Sequence, residues 1–460
     1  MTEHRPEPPP GTANTGAIAA MGLELQEGAQ IPRSRIVSWA LWDWATQPFN
    51  TVILTFVFSV YLVSDLFLPP GAAPGADENA VLTSGFGLAV GAAGVAIALL
   101  APVLGQRSDV SGRRKLNLGI ATGLLVLTTA ALFFVEADYS YFWLGAILVG
   151  IGSVFSEIAG VNYNGLLVRV STPKTVGRIS GLGWGFGYLG GIVALVIVIV
   201  MRSFDWFGLD QDSGLNIRVV ALGCAIWTVI FAIPIFLNVP EPPPAAGRER
   251  VGFFRSYVVL VQDIVRIFRE TRPTFWFLLA SAVFRDGLAG VFTFGAIIAA
   301  VVFGFPADMV IVFGIAANLV AGVSTIIAGR FDDRFGPRAV ILTALGGLVL
   351  AGLVVFFARD AGPIVFWIFG LILCLFVGPA QAASRSFLAR VTPAGREGEI
   401  FGLYATTGRA ASFLSPLAWA GMIALFGSTS WGILGIVLIL LVGLILMLFV
   451  RIPHSGARSG

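Results

Sequence analysis

Four residues recur in the same order and at the same spacing in two places. Gly105, Asp109, Gly112 and Arg114 form one set and Gly329, Asp333, Gly336 and Arg338 the other, at a constant offset (338 − 114 = 224). A second repeat runs at an offset of 221: Leu167, Arg169, Val170, Gly177, Ile179, Gly181 and Leu182 match Leu388, Arg390, Val391, Gly398, Ile400, Gly402 and Leu403. The chain therefore reads as one unit duplicated, and an element in either half predicts a counterpart in the other. Glycines ending apolar segments suit tight turns and close backbone approach, and arginines beside them suit a membrane surface.

Composition puts that duplicated unit in a bilayer. Of the 460 residues 57% are hydrophobic and only 12% charged, and the mean hydropathy of +0.87 is far above that of a soluble domain. Segments near the length of about 20 residues needed to span run over 36–63, 81–104, 116–135, 141–166, 176–201 and 217–237 as helices 1 to 6, and over 273–302, 308–328, 339–357, 362–387, 400–426 and 430–450 as helices 7 to 12. The predicted fold is an all-α membrane protein of twelve transmembrane helices in two pseudo-symmetric six-helix bundles, 36–237 and 273–451. Residues 1–35 lack the apolar core of a signal peptide and read as a disordered cytoplasmic tail, with a second tail at 452–460. Between the bundles, 238–272 opens on prolines and continues as a basic amphipathic stretch around Phe253, Arg255, Tyr257, Arg266 and Phe268, the pattern of a surface helix. A target for a calmodulin-like protein or a lipid switch is the alternative for this stretch.

Basic residues set the orientation. Arg113, Arg114, Lys115, Arg169, Lys174, Arg178, Arg330, Arg334, Arg338, Arg390 and Arg396 fall on one side, and the opposite loops carry Asp65, Asp77, Glu78, Glu136 and Asp138. Both termini are expected in the cytoplasm of a multi-pass cell-membrane protein. The net charge of +3 then belongs to loops, and no nucleic-acid partner is expected. Cys224 and Cys374 lie inside apolar runs, and His4 and His454 lie in the tails. Neither a disulfide, a metal site, a cofactor nor a histidine-based catalytic arrangement is expected, so the chain does not read as an enzyme. Nor does a phosphate-binding loop with Lys and Ser/Thr occur.

The repeated Gly105 to Arg114 and Gly329 to Arg338 pattern resembles the loop signature of the major facilitator superfamily, between helices 2 and 3 and again between 8 and 9. Trp39, Trp42, Asp43, Trp44 and Pro48 in helix 1, Asn162 to Leu167 ending helix 4, and Phe284 to Gly287 in helix 7 are similar to the vacuolar, autophagy-related effluxer branch. Where that branch carries a Tyr-Asn-Asp-Gly type sequence, Phe284, Arg285, Asp286 and Gly287 stand here. The resemblance implies a central cavity faced by helices 1 and 7, and turns that meet the opposite half. On it Gly105, Asp109, Gly112, Arg113, Arg114, Gly329, Asp333, Gly336 and Arg338 are gating candidates, Asp109 meeting helix 11 near Gly398 and Asp333 meeting helix 5 near Gly177.

Charges inside a membrane cost about 2.5 to 3.5 kcal/mol each and face the bundle interior. Asp43, Glu157, Arg285, Asp286 and Arg409 are the groups counted. Asp43, Asp286, Arg285 and Arg409 are expected to form one neutral unit between the halves and, with Trp39 and Trp42, to carry substrate and coupling. The alternatives are structural ion pairs for the charges and interfacial anchoring for Trp39, Trp42 and Trp44. Glu157 is expected to partner the arginines of the helix 2 to 3 turn. The glycines of helix 5 read as packing surfaces. The expected function is secondary active transport of a small organic solute, an amino acid or related metabolite, with efflux and proton coupling as finer expectations and a monomer in contact with lipid as the working unit. A transport-inactive sensor or scaffold on the same fold is the alternative.

Overall fold

A computed structural model describes residues 22–23, 26–69, 71, 76–203, 213–241, 252–270 and 272–450. Among the described residues twelve helices are long and apolar enough to cross a membrane: Arg33–Leu62, Gly85–Ser111, Arg114–Phe134, Tyr139–Gly165, Val176–Met201 and Leu215–Asn238 are helices 1 to 6, and Arg272–Val302, Val312–Phe335, Pro337–Phe357, Pro363–Val391, Glu397–Phe426 and Trp431–Phe449 are helices 7 to 12. Leu88, Leu127, Leu237, Leu350, Leu425 and Phe449 are among the large apolar side chains left exposed. Lipid rather than water is the solvent for that outer surface, so interior and exterior faces are both apolar and the helices show no polar outer stripe.

The duplication is visible in the packing. Helices 1 and 5, 1 and 6, 2 and 4, 3 and 4, and 3 and 6 pack together in the first half, and 7 and 11, 7 and 12, 8 and 10, 9 and 10, and 9 and 12 in the second. Across the halves the principal contacts are helix 5 on helix 8 and helix 2 on helix 11, again a pair related by the repeat, followed by 5 on 10 and 4 on 11. Glycine permits these approaches. A Cβ on Gly402 would stand 2.6 Å from Cα of Pro102, and one on Gly329 2.8 Å from Cα of Arg178, while Gly105 and Gly398 leave no room for a side chain on either.

Three expectations change. The repeated aspartates do not sit on turns: the helices continue to Ser111 and Phe335, so Asp109 and Asp333 ride on their last turns, and only Gly112 (φ 64°) and Gly336 (φ 83°) make the reversal. A left-handed backbone there favours glycine. The ordered chain also begins before residue 35, since helix 1 starts at Arg33, the Gly22 N–H donates to the Thr392 carbonyl at 3.2 Å, and Leu23 is buried. Of the two expected tails, 1–35 and 452–460, residues 1–21, 24–25 and 452–460 lie outside the described residues. Helix 11, third, is broken at Ser412 and Phe413 into Glu397–Ala411 and Leu414–Phe426.

The segment between halves contains the helix Phe253–Glu270. It packs on helices 2 and 7, with Ser256 and Ile267 buried and the Tyr257 hydroxyl donating to the Leu99 carbonyl at 3.2 Å. Phe254, Val258, Val261, Val265 and Phe268 remain exposed on it, the apolar stripe that an interfacial helix buries in lipid. The side of the molecule bearing this helix and the 2–3, 4–5, 8–9 and 10–11 turns is called the linker face below.

Candidate functional site

The end of helix 4 organises the middle of the interface. Asn162 accepts from the Ser108 hydroxyl at 2.6 Å, tying helix 4 to helix 2. Tyr163 stacks on Trp39 and Trp42 with ring centroids 4.5 and 4.3 Å apart, and its hydroxyl donates to Asp43 Oδ2 at 2.8 Å. Asn164 accepts from Arg385 at 3.1 Å, and the Gly165 carbonyl accepts from Arg114 at 2.8 Å. Trp39 and Trp42 are 0% and 3% exposed, so they line the bundle interior and do not anchor at the interface. Their indole N–H groups donate to the Tyr163 carbonyl and to Thr122, both at 3.2 Å. Trp44 turns outward to stack on Trp227 at 5.6 Å.

Arg385 of helix 10 fills the space these residues leave. Its Nη1 stands 3.1 Å from Asp43 Oδ2, its Nε donates to the Ser180 hydroxyl at 3.1 Å and its Nη2 to the Ser180 carbonyl at 2.7 Å. Trp39, Tyr163 and Trp184 surround the guanidinium at 4.9, 5.6 and 5.6 Å, distances suited to cation–π attraction. A Cβ on Gly183 would lie 2.7 Å from Arg385 Nη2 and 2.9 Å from Asp43 Oδ2, so this glycine makes room for the ion pair. Sequence reasoning missed Arg385. It stands six residues from the end of helix 10 at Val391 and resembles an interfacial arginine, yet it was the one basic residue of segment 362–387.

Two clusters close the linker face. Asp109 accepts from the backbone N–H groups of Gly398 and Glu399, both at 2.9 Å, where the first turn of helix 11 has donors without intrahelical partners. Asp109 also pairs with Arg114, which reaches Glu397 at 3.2 Å. In the repeat, Asp333 accepts from Gly177 and Arg178 at 2.8 and 3.1 Å at the start of helix 5, and Arg390 joins Asp332 at 3.2 Å to Asp333 at 3.7 Å. Asp332 further accepts from Ser386, and Arg390 donates to the Pro173 carbonyl at 2.7 Å. The basic partners are not repeat mates. Arg338, the mate of Arg114, instead donates to the carbonyls of Leu448 and Val450 at the end of helix 12. Arg113 is exposed beside Gly112. Arg169, in the short helix Leu167–Val170 after helix 4, has its guanidinium held below the usual arginine range by burial, which outweighs the pull of Glu397 and is aided by Arg114.

Asp43, Asp286, Arg285 and Arg409 do not form one unit. Asp43 takes Arg385. Arg409 takes Glu157 across the halves at 3.1 Å, so Glu157 does not meet the 2–3 turn. Arg285 lies 3.8 Å over the Tyr404 ring and donates to the Tyr404 carbonyl at 2.8 Å. Asp286 caps the second piece of helix 11, accepting from the Ser415 N–H at 2.5 Å while the Ser415 hydroxyl returns to the Asp286 carbonyl at 3.0 Å. Helix geometry is the reason. Adjacent residues diverge by about 100°, so Arg285 and Asp286 cannot both face one centre, and the break at Ser412 supplies the free donor that an aspartate satisfies.

Hydrogen bonds between the halves, among the described residues, run from the linker face to the middle of the helices. Thr406 donates to the Ala98 carbonyl at 3.1 Å, thirteen residues above the end of helix 2 at Ser111, about 20 Å at 1.5 Å per residue, and the Tyr188 hydroxyl donates to Gln381 at 2.6 Å near the middle of helix 5. The arrangement is closed at the linker face.

Residues 168–459 match the family model described as "Vacuole effluxer Atg22 like". The chain belongs to that family. Among relatives of the Atg22-like chain, the uncharacterized MFS-type transporter YxiO of Bacillus subtilis strain 168 is 26% identical over 417 residues, 90% of this chain and 94% of its own. Autophagy-related protein 22 of Cryptococcus neoformans var. neoformans serotype D (strain JEC21) is 26% identical over 308 residues, 61% of this chain but 50% of the fungal one. The match thus spans half the length of that relative. Solved structures with the same fold include the proton:xylose symporter XylE, at TM-score 0.69 and 14% identity over 91% of this chain and 95% of that one, and the human organic anion transporter MFSD10, at 0.67 and 17% over 90% and 100%. The Atg22-like protein is a multi-pass transporter of the major facilitator fold.

Proposed function

We propose that this Atg22-like transporter exports a small zwitterionic solute, an amino acid or related metabolite, by alternating access coupled to protons, with the linker face in the cytoplasm. One observation carries the reading: the hydrogen-bonding side-chain partners of Arg385, a helix 10 residue, are Asp43, Asn164 and Ser180 of the first half. Separation of the halves at the linker face strips the arginine of all three and opens its guanidinium to water and to an entering anion. A carboxylate entering the opened site replaces them bidentately, and the released Asp43 takes the solute's ammonium group or a proton. Trp184, whose buried indole N–H has no partner among the described residues, offers a further donor beside Arg385. The Asp109 and Asp333 contacts hold the linker face shut, and their release opens the site to the solute. The excess of arginines on the linker face supports its cytoplasmic placement.

Counterflow in proteoliposomes tests the reading. Unlabelled amino acid inside should accelerate entry of labelled amino acid, the α-carboxylate should be required, and Arg385→Gln should abolish the exchange while retaining a folded protein. If no amino acid or related carboxylate exchanges through folded wild-type protein, the transport reading fails and the sensor or scaffold reading takes its place.

A further inference from the structure

A second charged site lies outside the central interface. Between the linker-face ends of helices 1, 5 and 8 is a cleft of about 360 Å³ edged by Arg33, Arg178 and Arg330 and walled by Val37, Leu182 and Ile326. Its volume falls in the range of about 300 to 1,000 Å³ typical of small-molecule sites. All three arginines are exposed, and none of their guanidinium groups forms an ion pair among the described residues. Arg33 opens helix 1, Arg178 is in the first turn of helix 5 and Arg330 lies near the end of helix 8, so they share the depth of lipid headgroups. Val37, 44% exposed, continues the wall toward the hydrocarbon.

We propose that this cleft binds an anionic phospholipid, its phosphate on the three arginines and an acyl chain along Val37, Leu182 and Ile326. Guanidinium forks match phosphate oxygens, and basic pockets between membrane helices are suited to anionic headgroups. Apolar walls under a triple positive charge select a molecule that is anionic at one end and greasy at the other, which a free phosphate is not. Arg33 and Arg178 belong to the first half and Arg330 to the second. The site is complete only while helices 5 and 8 pack together, and the bound lipid therefore favours the state closed at the linker face.

Native mass spectrometry of the full chain with phosphatidylglycerol, phosphatidylcholine or glycerol 3-phosphate reads this directly. Wild-type protein should retain phosphatidylglycerol at least about tenfold over phosphatidylcholine, and the triple variant R33Q/R178Q/R330Q should lose that preference. Val37→Trp fills the apolar wall without touching a charge and should also lower phosphatidylglycerol retention; it decides the matter if the triple variant does not fold. Equal retention of the two lipids, unchanged retention in both variants, or displacement of phosphatidylglycerol by an equal concentration of glycerol 3-phosphate would overturn the proposal.

Discussion

Arg385 of helix 10 meets Asp43 of helix 1 at 3.1 Å across the two halves, with the arginine side chain 4% exposed and the carboxylate 22% exposed. The arginine is held in the protein while the acid keeps an edge toward solvent. Separation of the halves therefore takes from each charge the partner that it has across the interface.

Removing one member of this pair should cost more than removing both. Arg385→Gln or Asp43→Asn alone should lower stability by about 3 to 5 kcal/mol, because one charge is left unpaired, and the double variant should recover about 0.5 to 3 kcal/mol relative to additivity. A double-mutant cycle on thermal denaturation in detergent measures the coupling, and strict additivity would show that the two charges do not interact.

Asp109 and Asp333 should set the opening of the linker face. Val176, fully buried at the start of helix 5, can be replaced by cysteine as a reporter in a chain whose own Cys224 and Cys374 are buried. Maleimide should label it slowly in an otherwise wild-type background and about tenfold faster with D109N/D333N, since each neutral amide loses the charge that favours two helix N-terminal N–H groups. Equal rates would remove these contacts from the gate.

Gly105→Ala and Gly183→Ala should each disturb the interface, the first by forcing helix 2 off the Gly398 backbone and the second by crowding Arg385, Asp43 and Trp39. Overpacking of this kind costs about 1 to 3 kcal/mol. Gly91→Ala, where a Cβ meets nothing within 4 Å, should leave thermal stability and transport unchanged and serves as the control.

Asp286 should behave as a cap. Asp286→Ala should destabilise by about 0.5 to 2 kcal/mol and leave the pH dependence of transport intact. A lost pH dependence in folded Asp286→Ala would return this aspartate to the coupling site.

Much of this architecture was legible in the residues. The offsets of 224 and 221 gave the twofold relation that reappears in the pairings of helix 2 with 11 and helix 5 with 8, and the first turns of helices 11 and 5 were the correct destinations for Asp109 and Asp333. Apolar length located all twelve helices because a bilayer leaves no other solution for so much hydrophobic chain. The site was less legible, since linear depth does not give azimuth. Arg285 and Asp286 are neighbours in sequence and face different helices, and Arg385 finds Asp43 342 positions away. Hydropathy alone also passes over the break at Ser412 and Phe413, which Pro416 marks: a proline donates no N–H to the carbonyl four residues before it, and its ring crowds that carbonyl. That break turns Asp286 from a charge needing a counter-ion into a cap.

The most direct test compares two transport modes in proteoliposomes carrying wild-type protein or Asp43→Asn. Solute exchange without net proton movement should survive in the variant, while accumulation driven by an imposed pH gradient should fall to the level of empty vesicles. Gradient-driven accumulation by Asp43→Asn at the wild-type rate would contradict the assignment of Asp43 as the group that takes up the proton when Arg385 lets go.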